Sequence, residues 1–487
     1  MIYEDTILDC YTDEPSGLGV PPYLGVHPRY LAGYLEGKVN YVTIDDLRFY
    51  VKYKNKKKDG QKTNIKIYNL TRNNIGEILE KTKRLFCVVG MQTPGKYLSA
   101  LPGTVKEIEI LTKNIKADKI LYGPVVSTGT QLEGGKMAEK IPSGLFVEEM
   151  KEVYGDYAEM REYAVKGASI AKQIPWGKMI EIETGRGCIM GKCSFCTEPL
   201  KSKVEWRDQK DIHKEIKTFY DMGERNFRLG KQTCILSYKG MDVKELDKLL
   251  KPIGRESKLN LDCLHIDNMI PSLVNEERTK CIVKHCTEGN IAAFGVESFD
   301  MEVVKQNTLN TSPDVALNAV KIINKFGAKR GPNGMHYLLP GLNLVFGLKG
   351  ESKKTGELNY EYLKKILDEG LLLRRINIRQ VTPLPGTAMW DVGTKFLKKN
   401  KKYYWKWRNK IRKEVDFEML KNLVPSGTIL KNVKMEVHDG NHTFGRQMGS
   451  YPLIVGVKDR IEIGKLYDLE IVDHMLRSVV GKVVKTH

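Results

Sequence analysis

Cys188, Cys193 and Cys196 fall within nine residues, on the stretch Cys188-Ile189-Met190-Gly191-Lys192-Cys193-Ser194-Phe195-Cys196. No other feature restricts the chain so narrowly. An apolar strand carrying Met179, Ile180 and Ile182 runs into the turn Gly185-Arg186-Gly187 and then into these cysteines. Three thiolates on one short loop can hold three irons of a [4Fe–4S] cube and leave the fourth open. Glycines before and within the loop let it wrap a bulky group. A zinc site would call for a fourth Cys or His at short spacing, usually as a second Cys-x-x-Cys pair, and none is present. The stretch is also too polar and glycine-rich for a core strand carrying free thiols.

The rest of the chain must be large enough to carry such a site. Its 487 residues correspond to about three domains. No run of about 18 uncharged apolar residues occurs, so no membrane span is expected. Met1-Ile2-Tyr3-Glu4-Asp5 does not read as a signal peptide. Nine cysteines without a pairing pattern suit a reducing, cytoplasmic setting. The net charge of +19 admits a polyanion such as RNA as partner; a lysine-rich solubility habit gives the same composition.

Residues 1–165 read as an α/β domain. Thr6–Cys10, Asn40–Ile44, Leu85–Gly90 and Lys119–Pro124 are the expected strands. Several leave by breaker-rich loops, among them Asp13–Pro22 and Gln92–Tyr97. This pattern suggests a parallel, Rossmann-like sheet with its site at the carboxyl edge. Lys52–Lys62 reads as a solvated basic loop. Cys10 stands at a loop mouth and is a candidate reactive thiol; Cys87 lies within an apolar run and reads as a core thiol.

Residues 175–393 repeat a strand–loop–helix unit six times. The expected strands are Lys178–Glu183, Asn226–Leu229, Asn260–Ile266, Ile291–Val296, Gly341–Phe346 and Arg375–Val381. Six such units fit an open, partial (β/α)6 barrel, whose chemistry belongs at the strand ends. Those ends carry Gly230 and Gln232, His265, Glu297 and Ser298, Asn343, and Arg379. Glu198, just after the third cysteine, either reaches a ligand or caps the turn set by Pro199.

Residues 394–424 form a basic, aromatic linker. Nine Lys and Arg between 398 and 413 interleave with Tyr403, Tyr404, Trp405 and Trp407. Cations hold phosphates and aromatic faces stack on unpaired bases; an amphipathic helix with its aromatics turned inward has the same composition. From residue 425 to 487, five short β-runs between glycine turns suggest a small β-barrel.

The cysteine loop resembles that of the radical S-adenosylmethionine (SAM) superfamily, where three cysteines follow the first barrel strand. Phe195 matches the aromatic found before the last cysteine; the first gap, four residues, is one longer than the usual three. The resemblance implies a [4Fe–4S] cluster on Cys188, Cys193 and Cys196. It implies SAM held near Phe195, Gly230, Gln232, His265, Glu297, Ser298, Asn343 and Arg379. The order His438-Asp439-Gly440, Gly445-Arg446, Ile463-Gly464 and Arg477-Ser478-Val479-Val480-Gly481 resembles the TRAM domain, an oligonucleotide-binding-like (OB-like) RNA-binding barrel. Rossmann-like domain, partial barrel and TRAM-like barrel occur in that order in tRNA methylthiotransferases. That resemblance implies sulfur or methylthio insertion at an adenosine of tRNA, with RNA contacts from Lys402, Trp405, Trp407, Arg408, Arg446 and Arg477. It also implies an electron donor such as ferredoxin or flavodoxin, and a catalytic Cys10 serving a second Fe–S cluster in the first domain. Two alternatives stand beside it. One is a cobalamin-type radical methylase or other C–H modifier of a small molecule or protein, although no Asp-x-His-x-x-Gly corrin motif is present. The other is a non-catalytic Fe–S protein that binds RNA.

Overall fold

The computed structural model describes residues 2–11, 23–54, 70–72, 74–90, 102–128, 134–139, 146–147 and 153–487. The expected loops 13–22 and 92–97, and most of the basic run 52–62, lie outside the described residues. The chain divides into two compact units: residues 1–183 with 207–225 and 384–386, and residues 184–206 with 226–383 and 387–487. The C-terminal barrel belongs to the second unit.

The first unit holds strands β1 (Asp5–Asp9), β2 (Tyr23–Leu24), β3 (Asn40–Thr43), β4 (Arg84–Val88), β5 (Asp118–Tyr122), β6 (Phe146–Val147) and β7 (Met179–Glu183). Five of them form a parallel sheet in the order β3-β1-β4-β5-β6, with Asp9 beside both Thr43 and Val88. The alternation of apolar strands and helix-length segments predicts this architecture, because a parallel sheet needs helical crossovers on both faces. Leu8, Val42, Leu85, Cys87, Val89, Ile108 and Leu121 form its core. The helix Ile44–Tyr53 starts from a capping box between Thr43 and Asp46, which satisfies two otherwise orphaned N–H groups. Strand order reverses between β1 and β4, and a sheet of this order opens its crevice outside those carboxyl ends.

β2 and β7 pair in parallel in the same unit, and a buried ion network ties β7 to the helix Gln209–Asp221. Glu215, fully buried, pairs with Arg29 and with Arg207, the latter at 2.6 Å. Arg207 also donates to the Glu183 carbonyl at 2.9 Å. Two guanidinium groups satisfy the carboxylate, and backbone carbonyls accept from the guanidinium groups in turn, which makes burial of these charges tolerable. Gly33 and Gly167 allow the helix Val26–Tyr34 to lie against the chain around residues 163–167. A Cβ on Gly33 would sit 2.0 Å from the Tyr163 carbonyl oxygen.

The second unit begins with the antiparallel pair β8 (Gly185–Arg186) and β9 (Glu205–Trp206). β10 (Asn226–Gly230) and β11 (Cys263–Ile266) then pair in parallel. A second parallel sheet comprises β12 (Asn268–Met269), β13 (Asn290–Glu297), β14 (Leu338–Phe346) and β15 (Arg375–Gln380). Each strand expected between residues 226 and 381 is present within three residues of its expected limits. They do not form one continuous sheet, however, because the two-residue β12 opens a separate edge after β11.

The expected linker is helical: Lys395–Ile411, a π-helical turn over Arg412–Asp416, then Phe417–Leu423. The last strands are β16 (Ile429–Asp439), β17 (His442–Arg446), β18 (Ile454–Val457), β19 (Leu466–His474) and β20 (Val479–Thr486). They close into a barrel in the order β16-β17-β18-β20-β19, as the five short β-runs predict. Its core of Leu430, Val433, Met435, Val455, Leu469 and Ile471 is continuous with Leu339, Leu420 and Leu423. The barrel therefore shares apolar surface with the parallel sheet of its own unit.

Candidate functional site: a three-cysteine loop facing a polar strand surface

Of the nine free cysteines, only Cys188, Cys193 and Cys196 are partly exposed; the other six are buried. The loop bearing them is shaped by backbone constraints. Gly187 has φ near 80°, and a Cβ there would meet the Lys203 carbonyl oxygen at 2.5 Å, so the entry to the loop requires glycine. Ser194 anchors the middle: its N–H donates to the Asn307 carbonyl at 3.0 Å and its hydroxyl to Asn307 Oδ1 at 2.7 Å. Asn307 caps the helix Met301–Gln306 and donates to the Lys349 carbonyl at 2.8 Å. The Ser194 carbonyl accepts from Met389 N–H at 2.8 Å. Two sulfurs already receive backbone donors, Cys188 from Gly191 at 3.3 Å and Cys196 from Glu198 at 3.4 Å. Such donors stabilise thiolates. Burial pushes the Cys193 thiol up to about 12, with Cys196, Glu297 and Cys188 adding negative charge in the same direction. Glu297, Cys188 and Cys196 thus lie close enough to Cys193 for their charges to act on its thiol. The donor set, three soft thiolates on a glycine-shaped loop, fits a [4Fe–4S] cluster with one open iron.

The strands beyond the loop present a polar face. Gly295, Asn343 and Asn377 lie side by side across β13, β14 and β15, and Asn377 donates to Asn343 Oδ1 at 2.7 Å. Glu297 sits on a bulge of β13 with φ near 64°, a conformation that costs energy for a non-glycine residue. A Cβ on Gly295 would come within 2.9 Å of Glu297 Oε1, so that glycine clears space for the carboxylate. Burial pushes Glu297 up to about 7, opposed by the Arg379 guanidinium. Gln232 is 2 % exposed, and neither amide atom has a hydrogen-bond partner among the described residues. Its neighbour Thr233 donates to the Gly187 carbonyl at 3.2 Å, at the mouth of the cysteine loop. A buried amide left unsatisfied is expensive, and a polar ligand here would remove that cost.

Other expected site residues have partners within the fold. His265 turns to the C-terminal barrel: Ser450 N–H donates to Nδ1 at 3.1 Å, and Nε2 lies 3.1 Å from the Glu288 carbonyl. Its proton therefore resides on Nε2, and burial holds it down to about 4. Ser298 Oγ accepts from Asp300 N–H at 3.1 Å in a local turn. Phe195 packs with Val303, Leu348, Val381, Met389 and Leu397. The Gly230 carbonyl accepts from Thr184 N–H at 3.2 Å. Glu198 takes the turn role, accepting from Gly187 N–H at 3.1 Å and pairing with Lys201 at 2.9 Å. Burial acts to raise its carboxyl, but Lys201 and Lys231 prevail and hold it below the ordinary value. Asn307, the anchor of the cysteine loop, is missed by sequence reasoning. The Asn-Thr step after an amphipathic stretch is its only local signal.

Cys10, expected as a reactive thiol, is fully buried, with Sγ 3.9 Å from the Leu8 carbonyl. Burial holds its thiol well above the usual value, with Cys87 and Asp9 adding to the effect. A thiol so placed is a small hydrophobe. Among the expected RNA contacts, Lys402 and Trp405 are exposed and Arg408 is half-buried. Trp407 is turned inward, 7 % exposed, against Gly356, where a Cβ would meet its ring at 2.1 Å. Arg446 is also buried, paired to Glu436 at 3.0 Å. Arg477 lies on the exposed turn before β20.

No family model matches the chain. An uncharacterized protein of Methanocaldococcus jannaschii is 43% identical over the whole chain and 94% of its own length. The chain belongs to the same archaeal protein family as that relative. An uncharacterized methyltransferase of Pyrococcus horikoshii is 24% identical over 53% of this chain and 50% of its own length. Among solved structures, the radical SAM methyltransferase TsrM from Kitasatospora setae, with cobalamin and a [4Fe–4S] cluster bound, aligns with a TM-score of 0.49. Its sequence identity is 12%, over 80% of this chain and 74% of that one.

Proposed function

We propose that the chain is a radical SAM enzyme that modifies an unactivated carbon, with methyl transfer the favoured outcome. The observation that carries this reading is the set of three partly exposed cysteines on one glycine-shaped loop, with the half-buried Glu297 close enough to act on Cys193. When bound, a [4Fe–4S] cluster with one open iron supplies the electron that cleaves SAM to a carbon radical. Cys188, Cys193 and Cys196 would hold that cluster. Glu297, compensated by Arg379, and the Gln232 amide would orient the polar end of SAM. Asn343 and Asn377 offer hydrogen bonds along the strand surface. The apolar group around Phe195 helps keep water from the loop.

Methyl transfer is preferred to sulfur insertion for two reasons. Cys10 and Cys87 are the only cysteines before Cys188, and both are buried core thiols, poorly suited to a second cluster. The Pyrococcus relative, in addition, bears the name of a methyltransferase. In a cobalamin-dependent version the corrin would belong at the crevice outside β1 and β4. RNA remains the proposed polymer substrate, on the strength of the exposed cations of the helix Lys395–Ile411, and a low-potential protein such as ferredoxin or flavodoxin the proposed electron donor.

Anaerobically reconstituted protein should bind about four irons and convert SAM to 5′-deoxyadenosine on reduction. The triple variant Cys188→Ala, Cys193→Ala, Cys196→Ala should do neither; unchanged iron and cleavage would refute the assignment. Label from methyl-labelled SAM, followed into RNA and small-molecule pools, separates methyl transfer from sulfur insertion. The visible spectrum of the purified protein reports a bound corrin.

A further inference from the structure

A cavity of about 70 Å³ opens at the start of β15, away from the cysteine loop in sequence and in its lining residues. Four arginines line it, Arg374, Arg375, Arg412 and Arg477, against one carboxylate, Asp416. That carboxylate is already engaged with Arg412. Arg412 is 8 % exposed and donates Nη1 to the Ile376 carbonyl at 2.7 Å, yet its Nε is buried without an acceptor among the described residues. Arg374 donates Nη2 to the Tyr451 carbonyl at 2.6 Å, and its Nε is likewise buried without an acceptor. Arg477 has neither a hydrogen bond nor an ion pair among the described residues.

One carboxylate cannot neutralise four guanidinium groups. Burial pulls Arg374 down to about 10, opposed by the Asp416 carboxylate. A purely structural role would be served by the Arg412–Asp416 pair alone. The orphaned Nε atoms of Arg374 and Arg412 would then only cost stability, because a buried donor without an acceptor is expensive. Arginine donors converging from three directions suit an anion with several oxygens, and the planar guanidinium fork matches phosphate.

We propose that this cavity is a phosphate-binding subsite, formed by Arg374, Arg412 and Arg477, that takes a backbone phosphate of single-stranded RNA. The source of the phosphate follows from the helix leading into it. Trp405, Arg408 and Arg412 are spaced i, i+3 and i+7, a single stripe along the helix. Trp405 is 48 % exposed, with the Arg408 guanidinium 5.3 Å from its ring centroid. At about 1.5 Å per residue, Trp405 lies about 10 Å from Arg412. A base stacked on Trp405 would thus carry its strand past Arg408 toward the cavity. Only this choice of source rests on the RNA reading given above; the phosphate site stands on the arginines.

The test uses the full-length protein with two probes, inorganic phosphate and a single-stranded RNA oligonucleotide, titrated against wild type, Arg477→Gln and Arg374→Gln. Arg477 is exposed, so its variant should fold even if Arg374→Gln does not. Phosphate should raise the thermal midpoint of wild type and leave that of Arg477→Gln unmoved. RNA should bind Arg477→Gln about tenfold more weakly, with the slope of log affinity against log salt reduced by about 0.7. Equal phosphate response in wild type and Arg477→Gln overturns the site. Lost phosphate response with unchanged RNA affinity and salt slope overturns the RNA source and assigns the cavity to a small phosphorylated ligand.

Discussion

His265 allows a quantitative test of how the C-terminal barrel is held. The ring is 1 % exposed, accepts from Ser450 N–H and reaches the Glu288 carbonyl, with Arg228 adding positive charge nearby. Its folded value of about 4 lies below an unfolded value of about 6.5. Between those values the unfolded chain binds the proton and the folded chain does not, so stability falls as pH falls through this window. The contribution is complete above pH 7. By linkage it drops by about 2 kcal/mol at pH 5 and about 3 kcal/mol at pH 4. His265→Gln keeps a donor and an acceptor but cannot titrate. Urea unfolding of wild type and variant at pH 7.5 and pH 5 isolates the residue, because every other titrating group is common to both. The stability difference should shrink by about 2 kcal/mol at the lower pH. If the difference is the same at both pH values, His265 is not buried as a neutral acceptor, and the docking of the barrel on β11 through Ser450 is wrong.

Other outcomes follow from burial. Trp407→Ala should cost about 3–5 kcal/mol in unfolding experiments, whereas Trp405→Ala should stay within about 0.5 kcal/mol of wild type and weaken RNA binding by about 1–3 kcal/mol. Cys10→Ala should lower stability by about 1–2 kcal/mol and leave SAM cleavage intact; lost product with normal stability would restore a chemical role to that thiol. Gly33→Ala should lower the thermal midpoint by several degrees, since its Cβ would press on the Tyr163 backbone.

The strands were legible because apolar runs bounded by glycine and proline report burial directly. Thr6–Cys10 and Arg375–Val381 correspond closely to β1 and β15. The cysteine loop was legible because its ligands are neighbours in sequence. Roles that depend on distant partners were not. His265 ends a strand, as a ligand-binding residue would, but its partner Ser450 lies 185 residues away. Trp405 and Trp407 carry the same residue type two positions apart; Trp407 falls on the inward stripe with Leu397, Tyr404 and Ile411, and Gly356 opposite makes room for its ring. Arg446 looked like a free cation until Glu436 faced it across the β16–β17 pair. Cys10 reads as a loop-mouth thiol because the chain after it is rich in breakers; Gly103 packs over it so closely that a Cβ there would come within 3.2 Å of the sulfur.

The anchoring of the cysteine loop has a consequence for assembly. Asn307 and Met389 fix the loop through hydrogen bonds to the main chain and hydroxyl of Ser194, and Lys349 holds Asn307 in place, so these anchors do not use a cysteine side chain. The loop therefore acquires its shape when the surrounding helices and sheet fold, before any metal arrives. Small zinc domains behave in the opposite way, and chelation unfolds them. Here stripping the iron should leave far-ultraviolet dichroism and the unfolding midpoint nearly unchanged. The emptied protein should accept a new cluster repeatedly, because the entropy of arranging the three thiols has already been spent in folding.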